Sequence, residues 1–105
     1  MDAQLKRGLL EICVLAAMRS GETYGYKLIR DISPYIEISE STLYPILKRL
    51  EAGGMVTVRS AEHSGRLRKY YKLTDAGLAK IEEFVGQWEQ ILRIHSFIVG
   101  GTENE

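Results

Sequence analysis

Residues 41–50 read STLYPILKRL, and the apolar residues of this segment fall at helical spacing. They occupy positions i, i+3, i+4 and i+7, which is the pattern of one buried helix face. These residues are Leu43, Ile46, Leu47 and Leu50. The opposite side is polar and cationic, because successive helical residues turn by about 100°. That side carries Ser41, Thr42, Pro45, Lys48 and Arg49, with Tyr44 on its flank.

Two serines are candidates for the residue that caps this helix. Both Ser39 and Ser41 can accept a hydrogen bond from the N–H groups that a first helical turn leaves free. Pro45 favours a start at Ser41, because only the first turn accommodates a residue without an N–H group freely. Gly53 and Gly54 supply the end of the helix, since glycine readily adopts the left-handed conformation found there.

Two further helices are expected before this segment. Residues 5–18 are apolar on nearly every side, so the helix that they predict must be buried on several sides. A chain of 105 residues has little material for that purpose. We therefore expect Leu9 and Ile12 to contact a second subunit. Thr23 is a candidate cap for a short second helix that ends before Pro34.

A β-hairpin is expected after the third helix. Residues 55–60 and 67–73 are rich in Val, Thr, Tyr and Leu, and residues 61–66 separate them. Three helices followed by a basic hairpin is the order of a winged helix-turn-helix domain. In that domain the third helix enters the major groove of DNA and the hairpin is the wing.

Charge is unevenly distributed, although the chain is neutral overall. Residues 1–73 carry 12 bases and 8 acids, whereas residues 74–105 carry 2 bases and 6 acids. Five Lys and Arg residues lie between positions 59 and 72, where Glu62 is the one acid. This stretch predicts a local cationic patch within a neutral molecule.

Double-stranded DNA is the partner that these features favour. Cations near phosphates release counterions, so we expect the hairpin to contact the backbone through Arg66, Arg68 and Lys69. The contacts expected from the third helix are Ser39, Ser41, Thr42, Tyr44, Lys48 and Arg49. The alternative is a winged-helix module that serves only protein association, and the salt dependence of DNA binding would distinguish the two.

A long helix is expected after Thr74, which can cap it, while Asp75 suits its positive end. The following residues recur at alternating steps of three and four, the heptad spacing of a helix that pairs with another. They are Leu78, Ile81, Val85, Trp88, Leu92, His95 and Val99. A second apolar stripe widens this surface, so we expect the helix to pack on the first helix and on another subunit.

The expected fold is therefore mainly α with a small β-hairpin, in the α+β class. Residues 1–73 would form the winged helix-turn-helix domain, residues 74–99 a dimerisation helix and residues 100–105 a flexible tail. The expected assembly is a homodimer.

Three motifs follow one another along the chain: YGY at residues 24–26, STLYPILKRLE at residues 41–51 and GRLRKYYKLTDAG at residues 65–77. On these motifs the chain resembles PadR-type transcriptional regulators over nearly its whole length. The resemblance implies a bacterial or archaeal homodimer that represses transcription from a pseudo-palindromic operator. With one long C-terminal helix, the chain is similar to the shorter subfamily, of the lactococcal multidrug-resistance regulator type.

Trp88 has two interpretations. A large aromatic residue at a heptad position is typical of interface packing. The resemblance instead implies an effector pocket, because the lactococcal regulator stacks flat drugs on an interface tryptophan. Leu92 lies one helical turn on, at a site that is acidic in that relative, so the resemblance does not extend to a preference for cationic drugs. A planar hydrophobic effector is the partner that the second interpretation predicts.

No feature of the sequence predicts a catalytic residue, a cofactor or a metal site. Cys13 has apolar neighbours, His63 is expected in the hairpin turn and His95 at the helix seam, so a zinc site cannot be assembled within one chain. A phosphate-binding loop and a dinucleotide fingerprint are both lacking. No apolar run is long enough for a bilayer and no signal-peptide pattern is present, so we expect a cytoplasmic protein.

Overall fold

The computed structural model describes residues 1–101. In this part of the chain, four helices accompany a three-stranded antiparallel sheet of order β1-β3-β2. The elements are α1 Ala3–Ala16, β1 Thr23–Tyr24, α2 Gly25–Ile32, α3 Glu40–Ala52, β2 Val56–His63, β3 Arg66–Leu73 and α4 Asp75–Ile98. The predicted α+β class, with three helices, a hairpin and a long last helix, is confirmed.

One apolar core holds the first three helices against the sheet. The apolar face predicted for α3 is buried in full. It packs with Val14 and Leu15 of α1, Leu28 of α2 and Tyr71 of β3. Because all four helices and strands β2 and β3 contribute buried side chains to the same cluster, the polar face of α3 is held on the outside of a rigid unit.

Helix α3 begins two residues earlier than the position of Pro45 favoured. Its N-cap is Ser39, in extended conformation, so the preference for Ser41 was wrong and Pro45 lies inside the helix. Proline there removes one intrahelical hydrogen bond on the exposed side. The helix ends as predicted: Gly54 has a φ of +77°, and the N–H of Met55 donates to the carbonyl of Leu50 at 2.9 Å.

The strand β1 is a short element that periodicity did not indicate. Thr23 and Tyr24 pair with Tyr71 and Tyr70 of β3, so Thr23 lies in a strand and the prediction that it caps α2 was wrong. The hairpin turn is also tighter than residues 61–66. Only Ser64 and Gly65 connect β2 to β3, and both have positive φ, of 52° and 81°, as a two-residue hairpin turn with matched twist requires.

Helix α4 is attached to the domain through a junction around Thr74. The Thr74 side chain accepts a hydrogen bond from the N–H of Gly77 at 3.1 Å and donates to the carbonyl of Gly54 at 2.7 Å. The Thr74 N–H donates to the carbonyl of Met55 at 3.1 Å. A Cβ at Gly77 would overlap that same carbonyl oxygen and would lie 2.6 Å from Cδ1 of Leu73. The start of α4 is thus fixed against the end of α3.

The outer part of α4, from Val85 onward, projects from the domain. The molecule extends 64 × 26 × 21 Å with a radius of gyration of 16.5 Å, against about 13 Å for a compact chain of this length. The helix closes at Gly100, whose φ is +85°, and Gly101 donates to the carbonyl of Ser96 at 2.9 Å. The rest of the predicted tail, residues 102–105, lies outside the described residues.

Candidate nucleic-acid interface

The outer face of α3 presents an exposed row of hydroxyl groups and one lysine. Ser39, Ser41 and Thr42 are all exposed. The Ser39 hydroxyl lies 3.1 Å from that of Ser41 and donates to that of Thr42 at 3.2 Å. Lys48 is exposed and forms no ion pair with any residue between 1 and 101. Its charge is therefore available to an external anion.

Tyr44 lies on the flank of α3 that faces the hairpin, and Gly25 makes room for it. A Cβ at Gly25 would overlap the Tyr44 hydroxyl and would lie 3.0 Å from Cζ of the ring. The ring nevertheless remains 44% exposed. Residues of the first and second motifs thus meet in space, and Gly25 sets the direction in which the Tyr44 ring leaves the helix.

Arg49 belongs to a different surface from the rest of the predicted set. Its Nε and Nη2 donate to Oε2 of Glu11 on α1, at 3.2 and 3.1 Å. Its guanidinium is thus engaged within the protomer, and it lies toward α1 rather than at the centre of the exposed face. The expectation that Arg49 and Lys48 form one cationic face of α3 needs this correction.

The three predicted hairpin cations also differ from one another. Arg66 and Lys69 are exposed. Arg68 is half-buried, and its Cζ lies 3.9 Å above the ring centroid of Tyr24. Strand residues alternate between the two sides of a sheet, so Lys69 shares the side of buried Tyr71 that faces α3. Arg68 therefore stabilises the hairpin through a cation–π contact, while Arg66 and Lys69 are the freer charges.

Arg59 was predicted only as one of the five cations of the patch, and it connects the hairpin to the rest of the domain. Its guanidinium donates to both carboxylate oxygens of Glu22 at 2.7 Å and stacks 4.7 Å from the centroid of Tyr70. Tyr70 in turn meets Tyr24 edge-on at 6.0 Å. The hydrogen bond from Arg59 lowers the pKa of Glu22. These contacts couple all three strands, which keeps the hairpin in one orientation beside α3.

A groove of about 500 Å³ separates α3 from the hairpin. Tyr44 lines one wall, Arg66 and Lys69 line the other, and Tyr71 lies at its base. Burial raises the pKa of Tyr71, with smaller contributions from Tyr44 and Glu51. A groove with a hydroxyl on one side and cations on the other has the chemistry that a sugar–phosphate backbone requires.

A second exposed surface lies on the outer part of α4. Val85 is 62% exposed, Trp88 47% and Leu92 48%, and His95 is exposed as well. Leu9, Ile12 and Leu78 are half-buried within the protomer. Ile81 is 2% exposed and belongs to the protomer's own core, so the prediction that it lies at a subunit interface was wrong: α1 already covers this part of the seam.

Trp88 is accompanied by a second aromatic ring. Its centroid lies 6.1 Å from that of Phe84, with an angle of 42° between the ring planes. Half of the Trp88 side chain is open to solvent, so the ring has a free surface in the protomer.

Within residues 1–101, no group of three or more potential ligand side chains could hold a metal ion, and no helix has the length and hydropathy of a membrane span.

Comparisons with known proteins agree with this arrangement. The chain is 31% identical over 91 residues to a transcriptional regulator of Mycobacterium tuberculosis, a match that covers 86% of this chain and 85% of that protein. Among solved structures, a PadR family transcriptional regulator from Eggerthella lenta superposes with a TM-score of 0.83 at 32% identity, covering 94% of this chain and 88% of the other.

A third relative was solved with DNA. The structure of Bacillus subtilis PadR in complex with operator DNA has a TM-score of 0.69 at 27% identity, covering 73% of this chain but 46% of that longer one. Residues 14–83 match the profile of the transcriptional regulator PadR-like family. They include α3, the hairpin and the junction with α4. The chain belongs to the PadR-like family of transcriptional regulators.

Proposed function

We propose that this chain is a transcriptional repressor that binds a pseudo-palindromic operator as a homodimer. The observation that carries the proposal is the exposed polar face of α3 beside a groove with cations on its far wall. In this arrangement α3 enters the major groove, Tyr44 and Lys48 reach base edges, and Arg66 and Lys69 hold the neighbouring backbone. The Bacillus subtilis relative was solved in complex with operator DNA, which supports operator binding by this chain.

The homodimer is supported by the exposed apolar residues of α4. Val85, Trp88 and Leu92 are a continuous run at heptad spacing, and such a surface is typical of a helix that pairs with a copy of itself. Leu9 and Ile12 of α1 extend this surface at its base.

The proposed function also implies a location. A regulator that binds chromosomal DNA in a bacterium or archaeon acts in the cytoplasm.

Footprinting on the region upstream of the protein's own gene tests the operator. Two symmetric protected half-sites are expected, with centres about 10 bp apart or a multiple of that distance. The logarithm of the binding constant should fall with the logarithm of salt concentration by about 0.9 per neutralised phosphate. Salt-insensitive binding, or none to any native promoter fragment, would favour the alternative of a module for protein association.

Substitutions on the exposed face of α3 test the docking. Lys48→Ala and Tyr44→Ala should each weaken operator binding by about 1–3 kcal/mol if they contact bases, without changing the dimer. Arg19→Ala is the matched control, because Arg19 is exposed and lies beside the end of β3 and the start of α4 rather than in either groove along α3. Wild-type operator affinity in both α3 variants would falsify this docking.

A second, ligand-sensing function is favoured by the half-exposed ring of Trp88 beside Phe84. A planar hydrophobic compound that stacks there should quench tryptophan fluorescence, and the chain contains one tryptophan. The same compound should change operator affinity. A panel of planar compounds that leaves the fluorescence unchanged would assign Trp88 to interface packing instead.

A further inference from the structure

A second groove lies along α3, on the flank opposite the hairpin. It has a volume of about 670 Å³. Its walls are the first two turns of α1, the segment before α3 and one side of α3 itself. The polar residues that line this α1–α3 groove are Lys6, Arg7, Glu37, Ser39, Thr42 and Arg49. Neither the sequence motifs nor the proposed docking gives Lys6 and Arg7 a role.

The α1–α3 groove has a surplus of positive charge. Its lining includes the cations Lys6, Arg7 and Arg49 and the acid Glu37. Because Arg49 is paired with Glu11, Lys6 and Arg7 carry the charge that is available to a ligand. Glu37 meets Nζ of Lys6 only at 3.8 Å, and its side chain is 93% exposed, so this pair is loose and screened by solvent. Arg7 is exposed and forms no ion pair within residues 1–101. The groove is therefore suited to an anion.

The position of this groove indicates which anion it fits. Ser41, Pro45 and Lys48 lie at the centre of the exposed face of α3, because they point directly away from its buried face. The hairpin groove lies on one side of that centre and the α1–α3 groove on the other. A DNA major groove, about 12 Å wide, is likewise bounded by two sugar–phosphate backbones, one on each side of an inserted helix.

We propose that the α1–α3 groove binds the second sugar–phosphate backbone of the operator. Lys6 and Arg7 contact its phosphates, and the Thr42 hydroxyl, which accepts from Ser39, donates to a phosphate oxygen beside them. The hairpin holds the other backbone, so α3 is clamped from both sides. This inference rests on the proposed function, because it requires α3 to lie in the major groove.

The salt dependence of DNA binding tests the inference. In a dimer each residue occurs twice, so Arg7→Ala removes two phosphate contacts and should lower the slope of log K against log salt by about 1.8. At about 0.15 M salt this corresponds to binding weaker by about 30-fold. The loss should be equal on the operator and on unrelated DNA, because phosphates carry no sequence information. Lys6→Ala should act in the same way, and Arg19→Ala should change neither quantity.

Phosphate ethylation of the operator provides a second measurement. Ethylation on the backbone across the major groove from the hairpin should block the wild-type protein, and this interference should disappear for the Arg7→Ala variant. If Arg7→Ala and Lys6→Ala keep the wild-type slope and interference pattern, the inference is wrong. In that case salt-dependent binding by the wild-type protein would still uphold the proposed function, so the two failures are distinguishable.

Discussion

The winged helix-turn-helix domain and the outer part of α4 differ in how their apolar side chains are covered. In the domain, Leu15, Leu28 and Leu43 are buried entirely by the same chain. In α4, residues 85–99 keep much of their apolar surface exposed. The first region therefore has a core of its own, whereas the second has an apolar surface that needs another molecule.

The largest effect is expected from a charge placed on the exposed apolar surface of α4. Leu92→Glu should abolish the dimer, because burying an uncompensated carboxylate costs about 3–5 kcal/mol, a rise in the dissociation constant of about 100-fold or more. Sedimentation measures the dimer and circular dichroism the fold, which should survive since Leu92 is 48% exposed in the protomer. A variant that remains dimeric at micromolar concentration would place the interface elsewhere.

A cavity in the domain core should cost less, but it should act on folding itself. Leu47 is fully buried, so Leu47→Ala should lower the free energy of unfolding by about 2–5 kcal/mol in a urea titration. The control is Leu67→Ala, since Leu67 is exposed near the hairpin tip and should change stability by less than about 0.5 kcal/mol. Equal losses in the two variants would contradict the assignment of the core.

The junction between the two regions is expected to show an intermediate effect. Gly77→Ala should destabilise the protein by about 1–3 kcal/mol, because the added methyl group overlaps the Met55 carbonyl and Leu73. The nearby change Gly86→Ala is the control, since no atom of the protomer lies within 4 Å of a Cβ at that position. Thermal unfolding of both variants measures the difference. An unchanged midpoint for Gly77→Ala would show that the junction accommodates the added methyl group without loss of stability.

The smallest effect is expected at the exposed Glu22–Arg59 pair. The pKa of Glu22 is lowered in the folded state, so its ion pair contributes stability above the ordinary carboxyl pKa of 4.5. That contribution is lost as the pH falls through the lowered value. Glu22→Gln should therefore reduce stability slightly at pH 7 and not at pH 2. Unfolding titrations at the two pH values test this, and a deficit of equal size at both would assign the effect to packing.

Features governed by local periodicity could be predicted from the sequence. The buried face of α3, the cap at Thr74 and the left-handed end at Gly54 all depend on residues within two helical turns, and the structure has each of them. The hairpin followed in the same way from β-forming residues on either side of a polar connection. The three-helix and hairpin order, with the motifs, was enough to indicate the fold and the family.

Features that depend on distant parts of the chain could not be predicted. β1 exists only because Thr23 and Tyr24 pair with β3, and Arg49 is drawn toward α1 by Glu11. The heptad spacing of α4 likewise predicted which side of the helix is buried, but not whether the same subunit or a second one buries it. Ile81 is buried by its own protomer.

Because the start of α4 is fixed at Thr74 and Gly77, the number of residues that follow determines the direction in which its outer surface faces. One residue inserted between Gly77 and Val85 would turn the outer surface by about 100° and move it about 1.5 Å along the helix axis. In a dimer built on that surface, the two copies of α3 would then no longer match the period of the DNA helix. The number of residues in this part of α4 should therefore stay the same between relatives, even where its exposed side chains differ.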